Sequence, residues 1–183
     1  MGTVALPKPR ATVSTQTGAL QIVIPSRKNV FPILFLSCWL VGWFIGESTT
    51  ATALIKGGVR ADAAAFTMFW LAGWSIGGAL AVTTWLWMLI GREVLTFGSG
   101  EFVHRRALGP FGLDRAYAMS QVRDLRAVPT PAYAFGRRSR DPFGLTSGTI
   151  AFDYGAKTIG VGAGIDEAEA KQLVETIRNR CRL

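Results

Sequence analysis

Histidine is almost missing from this chain: His104 is the only one in 183 residues, and cysteine is limited to Cys38 and Cys181. One imidazole and two remote thiols fall short of what a hydrolytic triad or a zinc centre needs, and a disulfide scaffold is excluded as well. Charge is also scarce. Charged residues make up 17% of the chain, against roughly 25% in soluble domains. Acids are the scarcer sign, 12 against 20 basic residues, for a formal net charge of +8. What the chain has in quantity is hydrocarbon. Its 49% hydrophobic content excludes intrinsic disorder. A length of 183 residues accommodates one domain, or a small domain with a membrane element, but not two enzyme-sized domains.

Most of the apolar residues lie in two uncharged runs, Val30 to Gly46 and Ala63 to Gly91, bounded by Lys28 and Glu47 and by Asp62 and Arg92. About 20 helical residues cross a hydrocarbon core, so the first run predicts a short span and the second a span with residues to spare. A buried soluble helix is the alternative, disfavoured by the tryptophan-rich, charge-free second run. Ala51-Thr52-Ala53 mimics a signal-peptide cleavage site. The 28 residues before the first run are long for a leader, and a second span follows closely, so an uncleaved hairpin over residues 29–91 is expected, its loop running from Glu47 to Asp62. Residues 1–28 carry Lys8, Arg10, Arg27 and Lys28 and no acid, and Arg92, Arg105, Arg106 and Arg115 follow the second span. The loop's Lys56 and Arg60 are balanced by Glu47 and Asp62. Both termini are therefore expected in the cytoplasm.

The spans share a repeat. Trp39-Leu40-x-Gly42-Trp43-x-Ile45-Gly46 recurs as Trp70-Leu71-x-Gly73-Trp74-x-Ile76-Gly77. Gly42/Gly46 and Gly73/Gly77 are Gly-x-x-x-Gly steps that open one helix face to close approach, and Trp39/Trp43 and Trp70/Trp74 stand four apart. These eight residues are expected to pack the hairpin, with docking onto another membrane protein or a flat pigment as the functional alternative. Neither predicted span has a His, Asp, Glu, Lys or Arg in its interior, so no relay or axial ligand is expected there.

Residues 92–183 predict a small α+β cytoplasmic domain. Alternation over Glu93–Phe97, Glu101–Arg106, Asp114–Tyr117, Val122–Val128, Thr149–Tyr154 and Lys157–Val161 gives about six strands. Asp166 to Arg180 gives an amphipathic helix burying Ala170, Leu173, Val174, Ile177 and Cys181, with Asp166 and Glu169 at its start and Glu167/Lys171 and Glu175/Arg178 on the solvated side. Strands followed by a C-terminal helix predict a pleckstrin-homology-like (PH-like) barrel. Residues 20–28 are expected to add an edge strand, and residues 1–19, with Pro7 and Pro9, to form a flexible tail.

Chemical motifs are few. His104, beside Arg105 and Arg106, is expected on a strand surface with a depressed pKa. Gly160-x-Gly162-x-Gly164 fails the G-x-G-x-x-G spacing and is expected to supply flexibility before the helix. The long connection Pro129–Ser147 holds Phe135, Arg137, Arg138, Arg140 and Phe143, a cluster suited to an anionic lipid surface or a protein partner. No catalytic residue, cofactor or metal site is expected. Nucleic acid is not an expected partner, because a membrane anchor already explains the basic bias.

Ser26-Arg27-Lys28-Asn29 before the hairpin, with Phe35–Glu47, Phe66–Gly77, Leu86–Glu93, Ile150–Ile159 and Gly164–Lys171, resembles a family of uncharacterised bacterial two-span membrane proteins with a PH-like C-terminal domain. That likeness implies a bacterial inner-membrane location and no known activity. More distantly, the layout is similar to the photosystem I assembly factor of chloroplasts and cyanobacteria, which implies an accessory or assembly role. Expected partners are membrane lipids and a membrane protein or a second copy. The expected function is non-enzymatic anchoring and interaction; the alternative is an accessory subunit of a photosynthetic or respiratory complex.

Overall fold

Where the pattern is apolar on every side the chain is helical, and where it alternates the chain is extended. The computed structural model describes residues 9–16, 18–129 and 148–181. It divides into two compact units, Lys28–Leu89 and the remainder, formed by Met1–Arg27 with Ile90–Leu183.

The first unit is a helical hairpin. Helix α1 spans Val30–Ile55 and α2 spans Ala61–Ile90. Both are long and apolar enough to cross a membrane, and their most apolar windows are 0% and 6% buried. A core helix of a soluble protein hides such a surface. The helices run antiparallel, because as the α1 residue rises from Ser37 to Trp43 to Glu47 its α2 partner falls from Trp85 to Gly78 to Ser75.

The connection is shorter than the sequence predicts. α1 continues eight residues past Glu47, the residue at which a loop is expected. Thr49 donates to the Ile45 carbonyl at 2.9 Å and Thr52 to the Ser48 carbonyl at 2.7 Å. These back-bonds satisfy hydroxyls without water, so a Ser/Thr-rich stretch that reads as a loop extends the helix. Glu47 therefore lies inside α1.

The second unit contains eight strands and a helix among the described residues. Strands β1 (Thr12–Gln16), β2 (Ala19–Pro25), β3 (Gly91–Phe97), β4 (Glu101–Leu108) and β5 (Phe111–Ala118) form an antiparallel sheet in that order. A single 3-10 turn, Met119–Gln121, leads to a three-stranded antiparallel sheet of β6 (Val122–Ala127), β7 (Ile150–Tyr154) and β8 (Lys157–Val161). Helix α3 (Glu167–Cys181) closes the chain.

Two expectations for the N-terminus are corrected. Residues 12–16 form β1 where a flexible tail is expected, and β2 lies between β1 and β3 rather than at an edge. Val13 pairs with Ile22 and Thr15 with Leu20. The β-branched residues of the Thr-rich stretch favour the extended conformation once a neighbouring strand is present.

All of β2 to β8 except the exposed stretch of β5 contributes to one core with α3. Phe97 and Phe102 stack at 4.4 Å, and Phe152 meets Phe102 and Tyr117 edge-on at 5.2 and 5.3 Å. These offset and edge geometries are the favoured ones for aromatic pairs. α3 buries Ala170, Leu173, Val174 and Ile177. Its start is as predicted, the Glu169 N–H donating to Asp166 Oδ1 at 2.8 Å, and Lys171 pairs with Glu167 at 2.8 Å. Arg178 reaches back to the Leu125 carbonyl at 2.6 Å, joining the helix to β6.

Candidate functional site

Trp43 of α1 seats its indole directly over Gly78 of α2. A Cβ at Gly78 would stand 1.9 Å from a ring carbon of Trp43, so only glycine admits the ring. The Trp43 N–H donates to the Trp74 carbonyl at 3.3 Å, and the Trp85 N–H to Ser37 Oγ at 2.9 Å. Trp70 and Trp74 stack at 4.7 Å, while Trp39 meets Trp74 across the hairpin at 6.4 Å.

The four repeat glycines sit elsewhere. A Cβ at Gly42, Gly46, Gly73 or Gly77 would meet nothing within 4 Å. The close approach thus falls at Gly78, one position beyond the motif, and the Gly-x-x-x-Gly faces are open. Trp39, Phe69, Trp70 and Trp74 frame Gly73 and Gly77 in an apolar groove of about 350 Å³.

Beside this face, Ser75 Oγ makes a hydrogen bond to Glu47 Oε1 and lies 2.9 Å from the Leu71 carbonyl. Glu47 Oε2 is sheltered without a hydrogen-bond partner. Hydropathy alone does not announce this carboxylate, because the length of α1 is decided by back-bonded hydroxyls.

The second unit holds a buried polar cluster that strand alternation partly announces. Cross-strand pairs Phe97/Phe102, Leu95/His104 and Glu93/Arg106 line one face of β3 and β4. Glu93 and His104 are 4% and 7% exposed. His104, expected on a surface, is therefore an interior residue, because it shares the inward register of Phe102.

Glu93 Oε2 accepts the Gly162 N–H at 2.7 Å, and Arg106 Nε stands 3.9 Å from Oε1. Burial raises the Glu93 pKa, opposed by the Gly162 N–H, Arg106 and the Ala163 N–H. His104 is pushed down to about 4, chiefly by burial and then by Arg106 and Arg115. Its Nε2 stands 3.9 Å from Glu93 Oε2, but a neutral ring makes no ion pair, so this approach is not a salt bridge at neutral pH. The Nε2 atom has no hydrogen-bond partner.

Glu93 also explains the glycine-rich junction. Gly162 (φ +80°) turns the chain so that its N–H faces the carboxylate, and a Cβ at Gly164 would stand 2.3 Å from the Pro25 carbonyl. These glycines provide close approach, not the looseness expected from sequence.

A pH prediction follows. His104 binds its proton more weakly in the folded state, so its contribution is complete above pH 6.5 and is lost as pH falls toward 4. The loss amounts to about 3 kcal/mol at roughly 1.4 kcal/mol per unit. Glu93 has the opposite slope, since its raised pKa favours the folded state as pH falls toward 4.5. Chemical denaturation between pH 7 and 4 should show a His104→Gln variant losing less stability on acidification than wild type. A Glu93→Gln variant, which lacks the opposing slope, should lose more stability on acidification than wild type; equal slopes for wild type and His104→Gln would refute the assignment.

On the three-stranded sheet, Arg126 bonds to Asp124 and Asp153 at 2.5 and 3.3 Å, and Thr158 donates to Asp153 at 2.6 Å. The Thr158 hydroxyl and Arg126 hold Asp153 below the ordinary carboxylate range. Cys181 is raised by burial, which keeps it a thiol rather than a nucleophilic thiolate. Among the described residues no three His, Cys, Asp or Glu converge as metal ligands. The basic cluster Phe135, Arg137, Arg138, Arg140 and Phe143 lies outside the described residues.

No family model, no curated protein and no solved structure matches the chain.

Proposed function

We propose that the chain is a non-enzymatic, two-span membrane protein that tethers a PH-like domain to the membrane surface, where it engages a protein partner or anionic lipid. The observation that carries this reading is the exposure of α1 and α2: their apolar windows are 0% and 6% buried, an area that water does not tolerate and lipid does. Back-bonded hydroxyls along both helices, such as Ser37 to the Ile33 carbonyl in α1 and Thr83 to the Ala79 carbonyl in α2, each at 2.8 Å, suit a medium without water. The order of two antiparallel sheets followed by a helix supports the PH-like reading. The acid-free segment before α1 and the arginines after α2 favour cytoplasmic termini.

The open Gly42/Gly46 and Gly73/Gly77 faces favour a second reading, an accessory or assembly subunit docked through the hairpin onto a larger membrane complex. Membranes from expressing cells test the first reading. The chain should stay in the pellet through alkaline carbonate and leave only with detergent, and protease added from outside should spare the second unit. A chain released by carbonate as a monodisperse soluble protein ends both readings. Comigration with a large complex in mild detergent selects the second.

A further inference from the structure

β5 departs from the rest of its sheet. Residues 111–116 are exposed, and Phe111 and Leu113 are each 78% exposed. Leu113, Arg115 and Tyr117 share a strand face by alternation, yet only Tyr117 reaches the core. Two large apolar side chains thus stand in the open near a turn, Gly109-Pro110, in which Gly109 has φ +61°.

Register locates that turn. Leu108 pairs with both Gly91 and Phe111, and Gly91 follows Ile90, the last residue of α2. A Cβ on Gly109 would lie 3.6 Å from Ile90 Cδ1. Phe111 is therefore two strand spacings, roughly 10 Å, from the point where the chain enters the sheet. The headgroup layer is of similar thickness, on the order of 5–8 Å per leaflet. The flanking charge is basic. Arg92 and Arg115 are exposed, and Arg105 lies across Gly112 with Asp114 as its ion-pair partner at 3.4 Å.

We propose that the β4–β5 tip sits in the headgroup layer of an anionic bilayer, with Phe111 and Leu113 in the interfacial zone and Arg92, Arg105 and Arg115 against lipid phosphates. This rests on α2 crossing the membrane, since that crossing puts Gly91 at the surface. The pairing of exposed apolar residues with cations next to a span end matches the two attractions an anionic interface offers, apolar burial and surface charge.

The test uses the full chain with Cys38→Ala and Cys181→Ser, reconstituted into phosphatidylcholine vesicles with and without phosphatidylglycerol. Nitroxide labels are placed singly at Phe111→Cys and Leu113→Cys, at Ser99→Cys in the turn at the other end of β3 and β4, and at Phe69→Cys in α2. Oxygen collision relative to a neutral nickel chelate reads depth. The ratio at 111 and 113 should exceed that at 99 several-fold, and should fall when phosphatidylglycerol is omitted. A ratio at 111 and 113 equal to that at 99, with position 69 in lipid, overturns the tip proposal and leaves the anchoring reading standing. Dipolar broadening at 111 with low access to both reagents overturns it in favour of a second copy. An aqueous signal at 69 overturns the anchoring reading as well.

Discussion

Glu93→Ala is expected to destabilise the second unit by on the order of 3 kcal/mol, because it leaves buried backbone donors without their acceptor. The carboxylate accepts the Gly162 N–H and faces Arg106, so its loss orphans a buried donor on the junction before α3 and removes an acid partner of Arg106. Each buried, unsatisfied donor costs about 1–3 kcal/mol. Because β3 and the β8–α3 junction are far apart in sequence, this carboxylate is a long-range tie between the large sheet and the helix. Glu93→Gln keeps an acceptor for Gly162 and loses only the charge. It should cost much less, since a buried amide also avoids the desolvation that disfavours the charged carboxylate. Urea denaturation of the full chain in micelles, followed by circular dichroism in the β region, separates the two variants. Equal losses for Ala and Gln would show that charge, not acceptance of the Gly162 N–H, is the contribution that matters.

Gly78→Ala should break the hairpin contact that Gly73→Ala and Gly77→Ala leave intact. The new Cβ would stand 1.9 Å from the Trp43 ring, and the indole must swing away, losing its bond to the Trp74 carbonyl. Overpacking of this kind costs about 1–3 kcal/mol. Thermal melting in detergent should fall for Gly78→Ala, accompanied by a change in tryptophan emission. At Gly73 and Gly77 a Cβ meets open space, so hairpin stability should hold. If those faces dock onto a partner, bulkier substitutions there abolish comigration without lowering the melting temperature. A Gly78→Ala protein that melts like wild type would remove Trp43 from the hairpin interface.

Part of this architecture is legible in the residues. The uncharged runs predict both helices, and alternation predicts β3, β4 and β6–β8 close to their observed limits. Asp166 and Glu169 announce the start of α3. The same alternation also marks the buried polar cluster. Phe102, His104 and Arg106 share one parity, and so do Glu93, Leu95 and Phe97. Polar residues in an inward register read as surface only when charge is weighed above spacing. The Gly-x-x-x-Gly motif offers the reverse case, a strong local signal whose glycines face outward while a neighbouring glycine outside the motif takes the indole.

Composition and hydropathy on their own determine two long apolar helices and, after them, a run of strands ending in an amphipathic helix, because periodicity is a local property of the chain. Tertiary structure alone decided that Thr12–Gln16 becomes a strand, that α1 carries Glu47 against Ser75, that Glu93 and His104 are interior, and that Phe111 and Leu113 are left uncovered. Each of these depends on which distant segment lies alongside, and a strand, a buried acid or a bare tip exists only relative to that neighbour.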